Sequence, residues 1–434
     1  MSTRTNRFSI LMPTDVFPPT CGGAGWSAHA LALALIAQGH SVQALVPQRQ
    51  EPGLEPCDIL GVSALLRGYQ APNIPFILNY FRHERLWPVL ANDLVHMARA
   101  QSAKATPLPG IIHAQHVQVA PAAIIAGKRL NMPVVVTVRD HWPWDYFATG
   151  LHADRLPYPN QNWMSLAADL PVRLGPLRGS AALLAIPYML AHLHRRQSFL
   201  MQADAVIAVS DYIAKRLRAF IDPERVHVIH NLVDTQAIQH AIATPAQTPE
   251  AQQDYMLFVG KLERNKGAHL LPAIMHELAE LALGGAQSLP ALLIAGNGPL
   301  QGQIEAELAA QGIRVRILDW IDHEEVLRLM ANCKVLLYPS LWGEPLSRVP
   351  IEAMACGAVV VAMPTGGTPE IISDGKSGFL EPSATGMARR VAMLLADSEL
   401  RLRISEAAAR RARDIFGVQR IVSRVERLYQ RMTE

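Results

Sequence analysis

The sequence predicts an α/β protein made of two doubly wound domains, and three observations lead there. The 434-residue chain is longer than one hydrophobic core usually supports. Half of its residues are apolar, enough for two packed cores. Buried-looking strands alternate with helical stretches in two successive series, and glycine or proline punctuates nearly every change.

The first series opens with the apolar run Phe8 to Met12 and a Pro/Gly-rich loop to Gly25. A helix follows, with apolar positions three or four apart from Trp26 to Ala37, and stops at Gly39. A second strand covers Ser41 to Val46, which completes a βαβ unit and implies a parallel sheet. Further strands are expected at Gly110 to His113, Pro133 to Val138, Ala205 to Val209 and Val226 to Ile229. Thr235 to Asp254 is rich in Ala, Gln, Thr and Pro without firm periodicity, and its middle reads as an interdomain linker.

The second series places strands at Tyr255 to Val259, Ala291 to Ala295, Val315 to Leu318, Val335 to Tyr338 and Ala358 to Ala362. Helices are expected at His269 to Leu281, Leu300 to Gln311, His323 to Asn332 and Arg348 to Cys356. Ser398 to Met432 reads as one long, arginine-rich helix packing across both domains. The expected division is 1–240, 250–415 and a C-terminal helix 416–434 packing back on the first domain. Each domain is Rossmann-like, with ligands at the carboxyl ends of its strands.

Composition narrows the partners. A net charge of +3 with no long basic block gives no nucleic-acid signature. Cys21, Cys57, Cys333 and Cys356 are widely spaced and read as reduced thiols of a cytosolic protein. No secretory signal is evident, and Gly179 to Leu193, interrupted by Pro187 and His192, is too short to span a bilayer.

The sharpest motif is Glu344 and Glu352, eight positions apart in Ser340-Leu-Trp-Gly-Glu-Pro-Leu-Ser-Arg-Val-Pro-Ile-Glu-Ala-Met-Ala-Cys-Gly357. The first stands in a loop after a strand, the second about two turns into the next helix. One carboxylate can meet a ligand near the strand end while the other reaches roughly 10 Å further along. That suits a long, polyhydroxylated ligand such as a nucleotide sugar. Lys261 and Lys266, bracketed by Gly260 and Gly267 at another strand end, can neutralise a diphosphate or can be an ordinary solvated loop. Gly22 and Gly23 stand where backbone can approach a phosphate, although the spacing matches neither GxGxxG nor a Walker motif. Gly296 and Gly298 form a strand-end turn that either shapes a crevice or is purely structural. Gly366 and Gly367 can offer backbone donors to an anion.

Some motifs are missing. There is no Asp-x-Asp pair for a metal-held sugar nucleotide, and His276-Glu277 and His323-Glu324 lack the second histidine of HExxH. No GxSxG elbow occurs. A metal-independent, non-hydrolase reading follows, with no cofactor and no metal site.

Together these positions resemble the retaining family 4 glycosyltransferases of GT-B architecture, the "group 1" enzymes. The resemblance runs over nearly the whole chain and is strongest from Phe258 to Leu380. It rests on Gly22-Gly23, Ala208-Val-Ser210, Asn231-Leu-Val-Asp234, Val259-Gly-Lys-Leu with Lys266-Gly, Ala295-Gly-Asn-Gly-Pro, the glutamate pair and Gly366-Gly367-x-x-Glu370. It implies two domains facing across a cleft, an acceptor-binding first domain and a nucleotide-sugar-binding second. It implies a hexosyltransferase moving sugar to a glycan, lipid-linked or small-molecule acceptor in polysaccharide biosynthesis. Glu352 would bind ribose hydroxyls and Glu344 the donor sugar. Lys261, where the family often has arginine, would hold the diphosphate with Lys266. Backbone N–H groups of Leu346, Ser347 and Arg348 and of Gly23 would complete the anion cradle. Gly260, Asn231, Gly296 and Gly298 would line the donor site.

There are two departures. Ser347 replaces the usual glycine, and Arg139-Asp140 stands where the family has His-Asp. Arginine cannot act as a base, which leaves Arg139 to bind an anion or form a salt bridge. His141, His113 and His116 lie near the acceptor or sugar side, with core or acceptor-side packing the favoured reading over catalysis for the last two. The leaving diphosphate would guide the acceptor onto the same face of the sugar. A sugar-nucleotide epimerase, a phosphorylase-like enzyme and a non-catalytic glycan-assembly protein are the alternatives on this fold.

One segment carries a separate question. Between Asp169 and Asp204 no acid occurs, whereas Arg173, Arg178, Arg195 and Arg196 do. The segment 170–200 is either an internal helix of the first domain, the favoured reading, or an amphipathic surface that meets anionic lipid at the inner face of the plasma membrane.

Overall fold

The computed structural model describes residues 7–19, 21–74, 76–102, 110–148, 151–152, 156–157, 161–282 and 289–434. The chain divides into two compact units. Met1–Ala148, Pro159–Leu232 and Ile421–Glu434 form the first; Thr149–Tyr158 and Val233–Arg420 form the second.

Eight strands build the sheet of the first unit: β1 (Ser9–Pro13), β2 (Ser41–Arg49), β3 (Gly53–Ile59), β4 (Val62–Tyr69), β5 (Gly110–Ala114) and β6 (Val134–Val138), then, after a short antiparallel ribbon of β7 (Leu151–His152) and β8 (Leu156–Pro157), β9 (Ala205–Ala208) and β10 (Val226–Val228). Their order is β10-β9-β6-β5-β1-β2-β4-β3. β1, β6 and β9 are buried along their whole length, the pattern of parallel strands covered by helices on both faces. Successive strands leave β1 in opposite directions, so its carboxyl end and that of β5 flank a topological switch point.

β3 and β4 form an antiparallel hairpin that sequence periodicity did not reveal. Its turn residues Leu60 and Gly61 both have positive φ, as a tight primed turn requires.

The second sheet is wholly parallel: β11 (Tyr255–Val259), β12 (Ala291–Ala295), β13 (Val315–Ile317), β14 (Leu336–Tyr338), β15 (Val360–Ala362) and β16 (Phe379–Leu380), in the order β13-β12-β11-β14-β15-β16. The chain winds outward from β11 to β13, then crosses back to β14. Here the switch point lies between β11 and β14. Phe258, Leu292, Leu337 and Val361 join the inward faces of helices Leu271–Leu281 and Ala384–Ala396 in one core.

Three expectations need correcting. The expected linker opens with a helix, Thr235–Ala241, capped by Asp234, whose carboxylate accepts the backbone N–H of Gln236 and Ala237 at 3.0 Å. Its Ile238 is buried, so this opening part of the stretch packs. The two compact units part after Leu232. The expected C-terminal helix is two, Ser398–Phe416 and Val418–Thr433. Gly417 is extended between them (φ −63, ψ 150), and the Phe416 carbonyl is taken by the Val233 N–H at 2.8 Å. Finally, the 170–200 segment is no single helix but Trp163–Leu174, Pro176–Ala182, a 3₁₀ turn Leu183–Ala185 and Ile186–Leu200. Leu170, Ile186, Met189 and Leu193 point into a small core. Arg196, expected among the surface arginines, is fully buried against the Trp142 ring at 5.0 Å. Among the described residues no helix is long and apolar enough to cross a membrane.

Candidate functional site

Four loops meet at the carboxyl ends of β11, β12, β14 and β15, and close backbone packing holds them together. A Cβ on Gly296 would stand 2.1 Å from the Gly260 carbonyl oxygen, and one on Gly366 2.2 Å from that of Glu344. Both glycines also have positive φ, so no other residue fits without moving its neighbour. The Gly367 N–H donates to the Glu344 carbonyl at 2.7 Å. The N–H groups of Leu341 and Trp342 both donate to the Asn265 carbonyl, at 3.0 and 3.1 Å. These bonds bring the loop carrying Lys266 and the loop carrying Glu344 to the two sides of the switch point.

Across that point Lys266 Nζ donates to Glu344 Oε1 at 2.5 Å, and Ser340 Oγ donates to the same oxygen at 3.2 Å. Lys266 also stands over the Trp342 ring, 4.8 Å from its centroid. Glu344 is buried, whereas Lys266 keeps a quarter of its side chain open. Lys261 belongs to the same loop but reaches outward, 68 % exposed and 4.0 Å from Glu263. The two lysines therefore do not act as a preformed pair.

Glu352 lies in the second turn of helix Arg348–Ala355, closer to its start than the expected two turns. Arg348 grips Oε1 through Nε at 2.9 Å and Nη2 at 2.6 Å, while His323 Nε2 approaches Oε2 at 3.2 Å. Burial would raise the Glu352 carboxyl. The charge of Arg348, with His323 and their hydrogen bonds, overcomes it and holds the carboxyl down at about 2. In return the Glu352 hydrogen bond raises His323 above the ordinary histidine value. His323 entered the sequence reading only as a failed zinc motif. Its pairing with a glutamate in another helix leaves no local sequence signal. Leu346 is buried, and Ser347 occupies the N-cap without a side-chain cap bond.

A pH dependence follows from Glu352. A carboxyl held near 2 when folded, against 4.5 unfolded, contributes stability that is complete above about pH 4.5. It is lost as pH falls toward 2, about 3 kcal/mol in all. Arg348→Met removes most of that contribution. The gap in urea midpoint between wild type and Arg348→Met is expected to narrow as pH drops from about 5 to about 3. A gap of constant width would refute the assignment of the shift to Arg348.

The first unit holds the remaining expected residues. Gly22 and Gly23 are exposed at the start of helix Gly23–Ala37. A Cβ at Gly22 would meet nothing within 4 Å and its φ is −80, so neither packing nor backbone demands a glycine there. Arg139 is buried and donates to Asn231 Oδ1 and, at 2.6 Å, to Gln115 Oε1. Asn231 is thereby engaged by Arg139. Asp140 is half-buried; burial raises its carboxyl to about 7, against the Trp142 N–H that donates to it at 2.9 Å.

The three histidines are packed side chains. His113 is fully buried with both ring nitrogens engaged, Nδ1 with the Tyr429 hydroxyl at 2.6 Å and Nε2 with Thr137 Oγ1 at 2.7 Å. Burial, with the Arg139 charge, lowers it to about 3, so it is a neutral core residue. His116 is likewise lowered to about 3 and meets Thr14 Oγ1 at 3.0 Å. His141 is fully buried and accepts the Trp144 indole N–H at 3.0 Å.

The switch point of the second, doubly wound unit gathers Lys266, Arg348 and two buried carboxylates. The chain belongs to glycosyltransferase family 4: the model of that family matches residues 21–237, and that of the glycosyl transferases group 1 matches residues 243–411. It is 25 % identical to the glycogen synthase of Mycobacterium tuberculosis over 434 aligned residues, 97 % of this chain and 94 % of that protein. It is 29 % identical to the alpha-maltose-1-phosphate synthase of Mycolicibacterium smegmatis over 53 % of this chain and 64 % of that protein, so this match spans under two thirds of the relative's length. Among solved structures, HepE of Anabaena in complex with UDP superposes with a TM-score of 0.65 at 19 % identity, covering 98 % of this chain and all of that one. The shared fold is GT-B, two parallel-sheet Rossmann-like domains.

Proposed function

We propose that this protein is a hexosyltransferase that moves a sugar from a nucleotide-diphosphate sugar to a glycan, lipid-linked or small-molecule acceptor with retention of configuration and without a metal ion. The observation that carries the reading is the Lys266–Glu344 pair at the switch point, one loop before the helix whose Glu352 is held ionised by Arg348 and His323. A carboxylate that stays charged under all physiological conditions is a strong acceptor for vicinal hydroxyls, and a ribose supplies two. Glu344 takes the donor sugar. Lys266 and the outward Lys261 take the diphosphate with backbone N–H groups from Leu346 to Arg348, where the helix dipole adds partial positive charge.

Charge sets the mechanism. Breaking the bond from the anomeric carbon to the diphosphate oxygen moves the electron pair onto that oxygen and leaves an oxocarbenium-like sugar. Lys266 stabilises the departing diphosphate, and Glu344 holds the sugar and orients the ammonium. The acceptor hydroxyl attacks the face the diphosphate leaves and gives its proton to the phosphate oxygen. Lys266 supplies positive charge where the departing diphosphate gathers negative charge, the role a divalent cation can otherwise take. A uridine donor is the first choice, since HepE was solved with UDP and with UDP-glucose. Action in polysaccharide biosynthesis fits the name of one relative, a glycogen synthase.

Thermal shift with UDP, GDP, ADP and TDP and their sugar conjugates, in chelator and beside Glu352→Ala, tests the reading. A ligand at a hundred times its dissociation constant adds about 2.7 kcal/mol to the folded state. One nucleotide series is expected to stabilise the wild type and not the variant. No stabilisation by any of them overturns the proposal.

A further inference from the structure

We propose that an arginine-lined cavity along the open edge of the first sheet binds a small phosphorylated molecule carrying two or more negative charges. β10 is the last strand on that side, so its outward carbonyls have no neighbouring strand. Arginine takes the place of one. Arg218, just past helix Asp211–Leu217, donates through Nη2 to the Val226 carbonyl at 3.4 Å. Arg424, on helix Val418–Thr433, donates through Nη2 to the Val228 carbonyl at 2.6 Å. Together they border a cavity of about 620 Å³, which Arg427, Arg431, His227 and Gln430 also line. All of these residues belong to the first unit.

The edge bonds give Arg218 and Arg424 a role in the fold. Arg427 and Arg431 are different. Both are exposed, and neither pairs with a carboxylate among the described residues. Glu426, beside Arg427 in the chain, turns instead to His40 Nε2 at 2.9 Å. One acid, Glu434, lines the cavity against four arginines. Arg424, Arg427 and Arg431 follow one another at three and four positions, the spacing at which like charges on a helix repel. A helix dipole favours a cation in the last turn, which accounts for Arg431 but not for the other two. Burial, with the charges of Arg431 and Arg218, holds His227 below the ordinary histidine value, so guanidinium groups from two elements bear on one point.

A concavity with this excess of fixed positive charge is completed by an anion. Guanidinium forks match phosphate oxygens, and Arg218 spends only one of its five N–H donors on Val226. The cavity lies within the range of about 300–1,000 Å³ that small-molecule sites occupy. His227 and Gln430 can meet hydroxyls carried beside the phosphate. No exposed large apolar side chain lines the cavity, so it offers nothing to an acyl chain or an apolar partner. Its arginines gather in one hollow instead of tracking a nucleic-acid backbone. The inference does not depend on the transferase reading, since Lys266, Glu344 and Glu352 belong to the second unit.

Calorimetric titration of the full chain with inorganic pyrophosphate, in chloride at matched ionic strength, is the test. The wild type is expected to bind pyrophosphate saturably, and orthophosphate more weakly. Arg427→Ala with Arg431→Ala is expected to weaken that binding about tenfold or more, since two charge-assisted contacts are lost. The same variant should melt at or slightly above the wild-type temperature, because repulsion along the helix is relieved. Arg389→Ala, at an exposed arginine of the second unit, should change nothing. Pyrophosphate can also meet Lys266, so Lys266→Met with Glu344→Gln is titrated alongside and should keep the binding that depends on Arg427 and Arg431. Binding lost in that variant and intact in the arginine variant overturns the proposal, as does the absence of saturable binding. An arginine variant that melts below wild type without anion also overturns it, because the side chains would then serve the fold. So does tighter, arginine-dependent binding of a single-stranded oligonucleotide, because the partner would then be nucleic acid.

Discussion

Glu352→Gln is expected to weaken binding of the nucleotide-diphosphate donor about a hundredfold, which corresponds to about 2.7 kcal/mol. The substitution keeps the volume and one acceptor but removes the charge. A charge-assisted hydrogen bond contributes about 1.5–3 kcal/mol, and a carboxylate facing two ribose hydroxyls accepts two. Three of the four lone-pair directions of Glu352 are already taken, two by Arg348 and one by His323. The hydroxyls must then share the oxygen that faces His323 or displace that ring, whose side chain is more than half exposed. Calorimetric titration with the donor nucleotide and with its 2′,3′-dideoxy form decides the role. The wild type should lose affinity for the dideoxy form, and Glu352→Gln should not distinguish the two. If the variant still prefers the ribose form by the wild-type margin, Glu352 does not read the hydroxyls.

The two double windings were legible because each parallel strand is a continuous apolar run and each helix carries its own period. Helix His323–Asn332 matches its expected bounds at both ends, and β11 and β12 match theirs. What the sequence hid depends on partners far along the chain. The helix Thr235–Ala241 has weak periodicity and is recognised by its Asp234 cap and its packing rather than by pattern. The break at Gly417 was hidden in an otherwise strong helical run, and the extended backbone there serves a bond to Val233. The β3–β4 hairpin turns on Leu60 at positive φ, which leucine does not advertise.

The site shows the same division. Its residue types stood out as motifs at strand ends, but their pairing did not. Lys266 meets Glu344 across 78 positions, and His323 meets Glu352 across 29. The lysines looked equivalent in sequence. Folding turned one inward to a carboxylate and left the other in solvent. His113, His116 and His141 looked available at strand ends, yet the sheet and its covering helices enclose all three.

Lys266→Met is expected to lower kcat by two to three orders of magnitude, the usual effect of removing one donor aimed at developing charge, about 3–4 kcal/mol. The single variant is ambiguous on its own, because Glu344 is buried and ion-paired with Lys266. Deleting one partner of a buried pair leaves an uncompensated charge at about 3–5 kcal/mol, and the loop would give way whatever its function. Lys266→Met with Glu344→Gln separates the two effects, since the neutral pair removes the stranded charge. The double variant should regain the melting temperature that Lys266→Met alone loses. If the ammonium only neutralises Glu344, kcat returns with the fold. If it stabilises the leaving diphosphate, kcat stays well below that of Glu344→Gln alone while the protein melts as wild type does, and a donor with a better leaving group recovers part of the rate. Full recovery of kcat in the double variant would move Lys266 from the chemistry to the scaffold and leave Lys261 and the backbone N–H groups from Leu346 to Arg348 to carry the diphosphate.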